Sequence, residues 1–452
     1  MSHARLVFLG ISILALSRAG VARADGAFPD SLNILLPPDR PSEMTLATNF
    51  GLISSEDGGA SWTWACETPL VDMGVLYQLG PGVTPRMFSV SLSGLVFSDD
   101  AACGWTAASG DALAGKSLMD AFPDPHDAAH VLAIALTRNE GAGRFVALES
   151  RDGGATFAHT IYSSPADVTL TGIEVSRSDP RVIYLAGLTL PALTPRVTRS
   201  GDGGATWTVQ DLGAKLGTIE RVRLVAVDPV DPNKVFLRVA LPGMGEALAV
   251  VGGPDAAPTL PVSIPGGVLT SFVRMNSGTI MAAGIGEGAT GMAFRSRDGG
   301  ASFVQMPGPR RFRALAERQG KLFAAADNWR DDFALGVSDD EGTTWRGLMR
   351  YGDVRAVKPC VDETCRALCR QEAALNVWPA SVCSDAAPGG GGRPDGGATP
   401  RVDDAGPPGG GCATSPGGPS AAGTLAAVIF FLKLSGGPAR RRGRAPRETP
   451  GT

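Results

Sequence analysis

The sequence predicts an all-β fold, a seven-bladed β-propeller of four-stranded antiparallel blades, and three observations predict it. A short turn motif recurs at near-regular spacing, short apolar strands with Pro-containing turns surround each copy, and the composition is turn-rich rather than helical. Gly and Pro number 60 and 34 among 452 residues, about a fifth of the chain against an ordinary share of roughly 12%. With 43% hydrophobic and 19% charged residues the chain can bury a large core, which excludes wholesale disorder, collagen and a long coiled coil. A formal net charge of −4 gives no reason to expect nucleic-acid binding.

The repeat is found by laying the chain against itself. Ser55-Glu56-Asp57-Gly58-Gly59-Ala60-Ser61-Trp62 returns at residues 150–157, 200–207, 296–303 and 338–345, and a worn copy runs from Ser98 to Trp105. First-residue spacings are 43, 52, 50, 96 and 42, and the long one is twice 48, so one copy has lost its signature near Leu248 to Asp255. That makes seven units. In each motif an Asp can accept turn N–H groups, Gly permits φ > 0, Ser or Thr adds a hydroxyl bond, and the aromatic is expected to bury beneath the turn. Around the copies the chain reads as strand, turn, strand, strand, motif, for example Arg221 to Val227, Asp228 to Asn233 and Val235 to Ala240. Four short strands per unit of about 48 residues can bury their faces only against neighbouring units, as propeller blades do. Leu32 to Leu36 reads as the first inner strand and Val354 to Val357 as a spare last one, and either could complete the blade that joins the ends.

These motifs resemble the Asp-box, or BNR, repeat of sialidases, sortilin-type receptors, xyloglucan hydrolases and the photosystem II assembly factor of cyanobacteria and plastids. The resemblance covers about residues 28 to 357. It implies that Asp57, Asp100, Asp152, Asp202, Asp298 and Asp340 are structural, on outer turns between third and fourth strands and away from the channel where ligands bind. It also frames the alternative function, a sialidase-like glycoside hydrolase working in the central pocket. Such enzymes join an arginine triad to a tyrosine nucleophile with a glutamate partner and an acid aspartate. Arg313 and Arg355 each lie ten residues after a box aromatic, and Arg223 sits in the corresponding strand after a longer loop, so the three are candidate channel-lining, ligand-binding residues. The sialidase Arg-Ile-Pro signature is absent, and Tyr77, Tyr162, Tyr184 and Tyr351 have no evident glutamate partner. No catalytic residue is assigned.

Other constellations read as structure. His126 and His130 fall in an inter-strand turn that aligns with Asp179-Pro180-Arg181 and Asp231-Pro232-Asn233, so no metal site is expected, and no cofactor. Asp331-Asp332 reads as a solvated loop. Gly284 to Gly288 lacks the strand-loop-helix context of a phosphate cradle. Trp62 and Trp64 alternate on one strand, for core packing or, on one face, for stacking on a sugar.

The ends carry address rather than fold. A basic start, the apolar run Leu6 to Leu16 and the small residues of Ala22-Arg23-Ala24 read as a signal peptide over 1–24, cleaved after Ala24. An uncleaved anchor needs about 20 apolar residues, and Ser17-Arg18 interrupts too early. The propeller is expected over 25–357. Cys360, Cys365, Cys369 and Cys383 then crowd residues 358–384, where Asp362 to Leu375 reads as a helix. Two disulfides from that helix to Cys360 and Cys383 would staple a mini-domain too small for its own core, three connectivities stay open, and zinc is the rival reading. Cys66 and Cys103 are expected to pair across neighbouring repeats. Residues 385–420 read as a disordered Gly/Pro-rich stalk, and 421–452 as a short apolar segment with an Arg cluster. The order of stalk, Cys412, apolar stretch and arginines resembles the MYXO-CTERM sorting signals of myxobacterial surface proteins, which implies processing near Cys412 and display at the cell surface. The expectation is therefore an exported, non-catalytic binding or scaffold protein. It would act as a monomer with a protein or glycan partner at the cell surface, without nucleic acid, and touch the membrane only through its tail.

Overall fold

A computed structural model describes residues 29–67, 76–137, 143–253, 256–308 and 310–384. The leader with Ala24, the stalk, Cys412 and the Arg-rich tail lie outside the described residues. Seven antiparallel sheets follow one another along the chain, each built from four consecutive strands. Their first strands are Ser31–Leu35, Leu76–Leu79, Lys116–Pro123, Val168–Val175, Arg221–Val227, Val268–Arg274 and Ala314–Arg318. These first strands abut one another around the ring at six junctions, and at the junction of blades 5 and 6 the third strand of blade 5, Gly245–Val251, takes that place.

Each blade has two apolar faces because alternate residues of a strand point to opposite sides, and each face meets its neighbour in a separate core. Blades 4 and 5 join through Tyr184, Leu188, Leu237 and Val239, and blades 5 and 6 through Phe236, Leu248 and Ile264 of blade 5 against Leu269, Ile280 and Ala282 of blade 6. Among the described residues the core between blades 1 and 2 is the smallest, with six buried members: Leu35, Ala47, Leu52, Tyr77, Met87 and Ala102.

Ring closure happens on the outer wall. Blade 1 already owns four strands from residues 31–65, so Val354–Val357 adds a fifth, pairing parallel with Trp62–Ala65 at the outer edge. Both candidate end strands are therefore used, and no strand is shared between the ends inside the ring. The chain then turns into the helix Asp362–Ala374, and its Cys365, Cys369, Val377 and Trp378 share one core with blades 7 and 1. The knob is thus packed onto the ring.

The disulfides correct the expected pairing. Cys66 bonds Cys365 and Cys103 bonds Cys360, across sequence separations of 299 and 257, while Cys369–Cys383 is the one bond internal to the knob. Cys66 and Cys103 do not pair with each other, because each is bonded to a cysteine that follows the last strand of the ring. Three disulfides indicate an oxidising, extracytoplasmic environment.

Candidate functional site: the central channel

The free edge of each first strand carries backbone N–H and C=O groups with no fifth strand to meet them. Buried, such groups need partners, and side chains from the adjacent blade supply them. Asn33 Nδ2 donates to the Tyr77 carbonyl (2.8 Å) and Gln78 Nε2 to that of Ala121 (2.7 Å). Asp120 Oδ2 accepts from Ile173 N (3.1 Å), and Glu174 Oε1 from Val227 N (2.9 Å). Thr171 Oγ1 donates to Val222 O at 2.5 Å and Thr270 Oγ1 to Phe312 O at 2.6 Å. Glu246 Oε2 accepts from Leu269 N (2.8 Å), and Arg313 meets Asp30 at 2.8 Å to close the circuit. Every one of the seven junctions thus has a polar clasp at or beside the channel.

The candidate arginines belong to this arrangement in different ways. Arg223 faces Asp120 across blade 4 at 3.7 Å, with its side chain 42% exposed. Arg313 sits between Asp30 and Asp327, at 2.8 and 3.8 Å. Arg355 is a correction: it lies on the fifth strand of blade 1, exposed on the outer wall, and lines no channel. The ten-residue spacing after the box aromatic led to it, but that spacing reaches an inner strand only when another blade follows. The three arginines do not converge.

Burial raises the Asp120 carboxyl above its usual range, opposed by Arg223. Burial likewise pushes Glu174 up to about 7, with the Val227 N–H pulling the other way. Tyr351 is fully buried, its hydroxyl 2.8 Å from Ser31 Oγ, and desolvation holds the phenol far above its ordinary value. Such a tyrosine is a poor nucleophile. Tyr77 is in the core of blades 1 and 2, Tyr162 packs on Trp207, and the Tyr184 hydroxyl donates to Pro232 O.

The turn motifs sit away from the channel, at the bend between third and fourth strands of their blades. Asp152 shows their pattern: Oδ1 receives Ser150 Oγ (2.8 Å) and Thr156 N (2.8 Å), and Oδ2 receives Thr156 Oγ1 (2.6 Å). Hydrogen bonds to Ser61 hold Asp57 down at about 2, and bonds to Thr206 do the same for Asp202. The Thr344 backbone N–H, then its hydroxyl, hold Asp340 at about 2, and Asp298 is lowered in the same way by Ser302. The motif also reaches the neighbouring blade. Gly154, at φ +83°, leaves no room for a Cβ beside Phe88 of blade 2, which would lie 2.9 Å away. Trp62 and Trp64 are both buried, and Trp64 packs on Trp378 of the knob at 5.1 Å, so neither offers a face to a sugar.

Two turn readings resolve differently. Asp124 and His130 hold each other at 2.7 Å inside their turn. Asp331 is not solvated: its side chain is 5% exposed and accepts from the backbone N–H groups of Arg311 and Asp327, while Asp332 remains in solvent. Arg311 beside Asp331 explains the burial, since a paired carboxylate can leave water.

No protein-family model matches the chain, and no curated protein matches it at a significant level. Among solved structures it is similar to Ycf48 from Cyanidioschyzon merolae, 10% identical, covering 67% of this chain and 94% of that one with a TM-score of 0.44. It is also similar to a puromycin-hydrolyzing peptidase of Mycobacterium tuberculosis, 12% identical, with a TM-score of 0.50 over 73% of this chain and 55% of that one. A puromycin hydrolase matches at 15% identity and a TM-score of 0.51, over 71% of this chain and 53% of that one. The chain spans about half the length of either peptidase, and identities this low show the fold alone: a β-propeller.

Proposed function

We propose that the protein is an exported, surface-displayed propeller that acts as a non-catalytic binding or scaffold module for a protein or glycan partner. The observation that carries this reading is the fate of the arginines. Arg313 is paired with Asp30 and Asp327, Arg223 faces Asp120, and Arg355 is on the outer wall, so these three form no triad that could grip a substrate carboxylate. The sialidase-type alternative keeps one favourable observation, two channel carboxyls held above their usual range, Asp120 and Glu174. Each nevertheless uses an oxygen to accept a neighbouring blade's backbone N–H. The disulfides support export, and the leader and sorting tail expected from sequence supply the route.

Purified, oxidised full-length chain incubated with a fluorogenic sialoside should release no fluorophore. Turnover that Arg313→Ala abolishes would establish the hydrolase instead. Biotinylation of intact expressing cells with a membrane-impermeant reagent should label the chain, and labelling only after lysis would remove the surface placement.

A further inference from the structure

The helix Asp362–Ala374 turns one face to the ring, and a carboxyl sits in that face. Cys365, Leu368, Cys369 and Glu372 follow one another at steps of three and four, the spacing of a buried helical stripe. The first three belong to the core shared with blades 7 and 1 or pack against it. Glu372 is only 8% exposed, and among the described residues its buried Oε2 has no hydrogen-bond partner. A carboxyl in such a place is tolerated when neutral and costly when charged. Its position in the last turn adds to that cost, because the free carbonyls of a helix C-terminus repel negative charge.

Nothing packed on the helix offsets the burial. Its neighbours are the turns Pro359–Val361 and Ala380–Cys383, which carry no charge, and the strand Val354–Val357, whose Arg355 is exposed. Lys358 is engaged by Glu56 and the Ala101 carbonyl. On the helix itself Arg366 pairs with Asp362, while Glu363 and Arg370 are exposed. Burial alone accounts for the Glu372 carboxyl standing above its ordinary value.

The covalent ties divide the knob in two. Cys360 and Cys365 are bonded to the ring, but residues 366–384 hold only the internal bond Cys369–Cys383. Past Cys365 the seat is therefore packing: Trp378 lies 5.1 Å from Trp64 and 5.8 Å from Phe50, and Val377 and Val382 join the same core.

We infer that residues 366–384 form a pH-sensitive latch, seated on the outer wall while Glu372 is neutral and released about a pivot at Cys365 when Glu372 ionises. The seat is whole below pH 4.5, the ordinary value of the group, and weakens as the pH rises through the higher value of the seated state. Residues 385–452 continue from this latch, so release shifts the point at which the ring joins the rest of the chain. The inference is independent of the channel and would stand if the channel proved catalytic.

Hydrogen exchange of the full-length oxidised chain at pH 5 and pH 8, read by mass spectrometry and corrected for the intrinsic rate at each pH, tests it. Protection over residues 366–378 should fall by about tenfold or more at pH 8, since each unit by which a carboxyl is raised is worth a factor of ten. Protection of the blade 1 strand Met44–Thr48 should not change. Glu372→Gln and Glu372→Leu are neutral at both values and should keep the helix protected at pH 8, the leucine completing the apolar stripe if the amide alone loosens it. Equal protection of the parent helix at both values, or a fall that persists in both variants, would overturn the proposal. Loss at Met44–Thr48 in step with the helix would overturn it too, by showing that the ring opens as a whole.

Discussion

Replacing Cys103 and Cys360 by Ser, or Cys66 and Cys365 by Ala, removes one of the two covalent ties that hold the C-terminal strap on blades 1 and 2. Loop entropy sets the ceiling on each effect. Closing the 299-residue loop of Cys66–Cys365 in an otherwise open chain restricts the unfolded state by about 5.7 kcal/mol. With that bond present, Cys103–Cys360 closes only segments 66–103 and 360–365, about 42 residues, worth about 4 kcal/mol. The same short loop applies when the bonds are removed in the other order. Either pair alone should therefore cost up to about 4 kcal/mol, but both together about 10, a coupling of roughly 2 kcal/mol beyond additivity. Urea unfolding followed by tryptophan fluorescence reports it, since Trp64 of blade 1 lies 5.1 Å from Trp378 of the knob. If the double removal costs only the sum of the two single ones, the ties do not share a loop. If neither removal shifts the midpoint, the strap does not hold the ring.

The box carboxylates give an acid limit. Asp57, Asp202 and Asp340 are lowered from 3.8 to about 2, so their contribution is whole above about pH 4 and is lost as the pH falls through 2. Circular dichroism should show loss of structure in that window, and an unchanged spectrum at pH 1.5 would count against the boxes as fasteners. Asp152→Ala removes three hydrogen bonds at an exposed turn and should cost about 1–2 kcal/mol in urea, against no change if the box is ornamental. Gly154→Ala should cost about 1–3 kcal/mol, because both the left-handed backbone and Phe88 oppose a Cβ, and a neutral effect would contradict the inter-blade contact. Glu174 has the opposite sign to the boxes. Its carboxyl is raised from 4.5 to about 7, so the stability it allows below pH 4.5 is lost as the pH rises through 7. Glu174→Gln keeps an acceptor for Val227 N and should raise the unfolding free energy from urea titration at pH 8 by up to about 3 kcal/mol while leaving pH 4.5 unaffected. An equal effect at both values would refute the burial argument.

The blades were legible because the box signature is local. Ser, Asp, paired Gly and a Ser or Thr four residues after the Asp satisfy one turn whichever blade carries it, so chemistry repeats with period. The helix over Asp362–Ala374 was legible for the same reason. The clasps were not. Asn33, Gln78, Asp120, Thr171, Glu246 and Thr270 perform one task with five residue types, because each answers a particular exposed N–H or C=O on the next blade. Disulfide pairing escaped for a related reason. Cys66 and Cys103 are neighbours in sequence, but their partners lie more than 250 residues away, on a knob whose seat depends on ring closure. Arg355 was misplaced by the same unknown, since a strand after the last box could extend either end of a blade.

The ring closes on the outer wall, where Val354–Val357 pairs with Trp62–Ala65, which leaves all seven inner strands facing the channel. Non-reducing proteolysis with mass spectrometry of the disulfide-linked peptides tests it most directly. The expected fragments link Cys66 to Cys365 and Cys103 to Cys360, with Cys369 joined to Cys383. A peptide linking Cys66 to Cys103, with Cys360 and Cys365 both paired inside the knob, would contradict it.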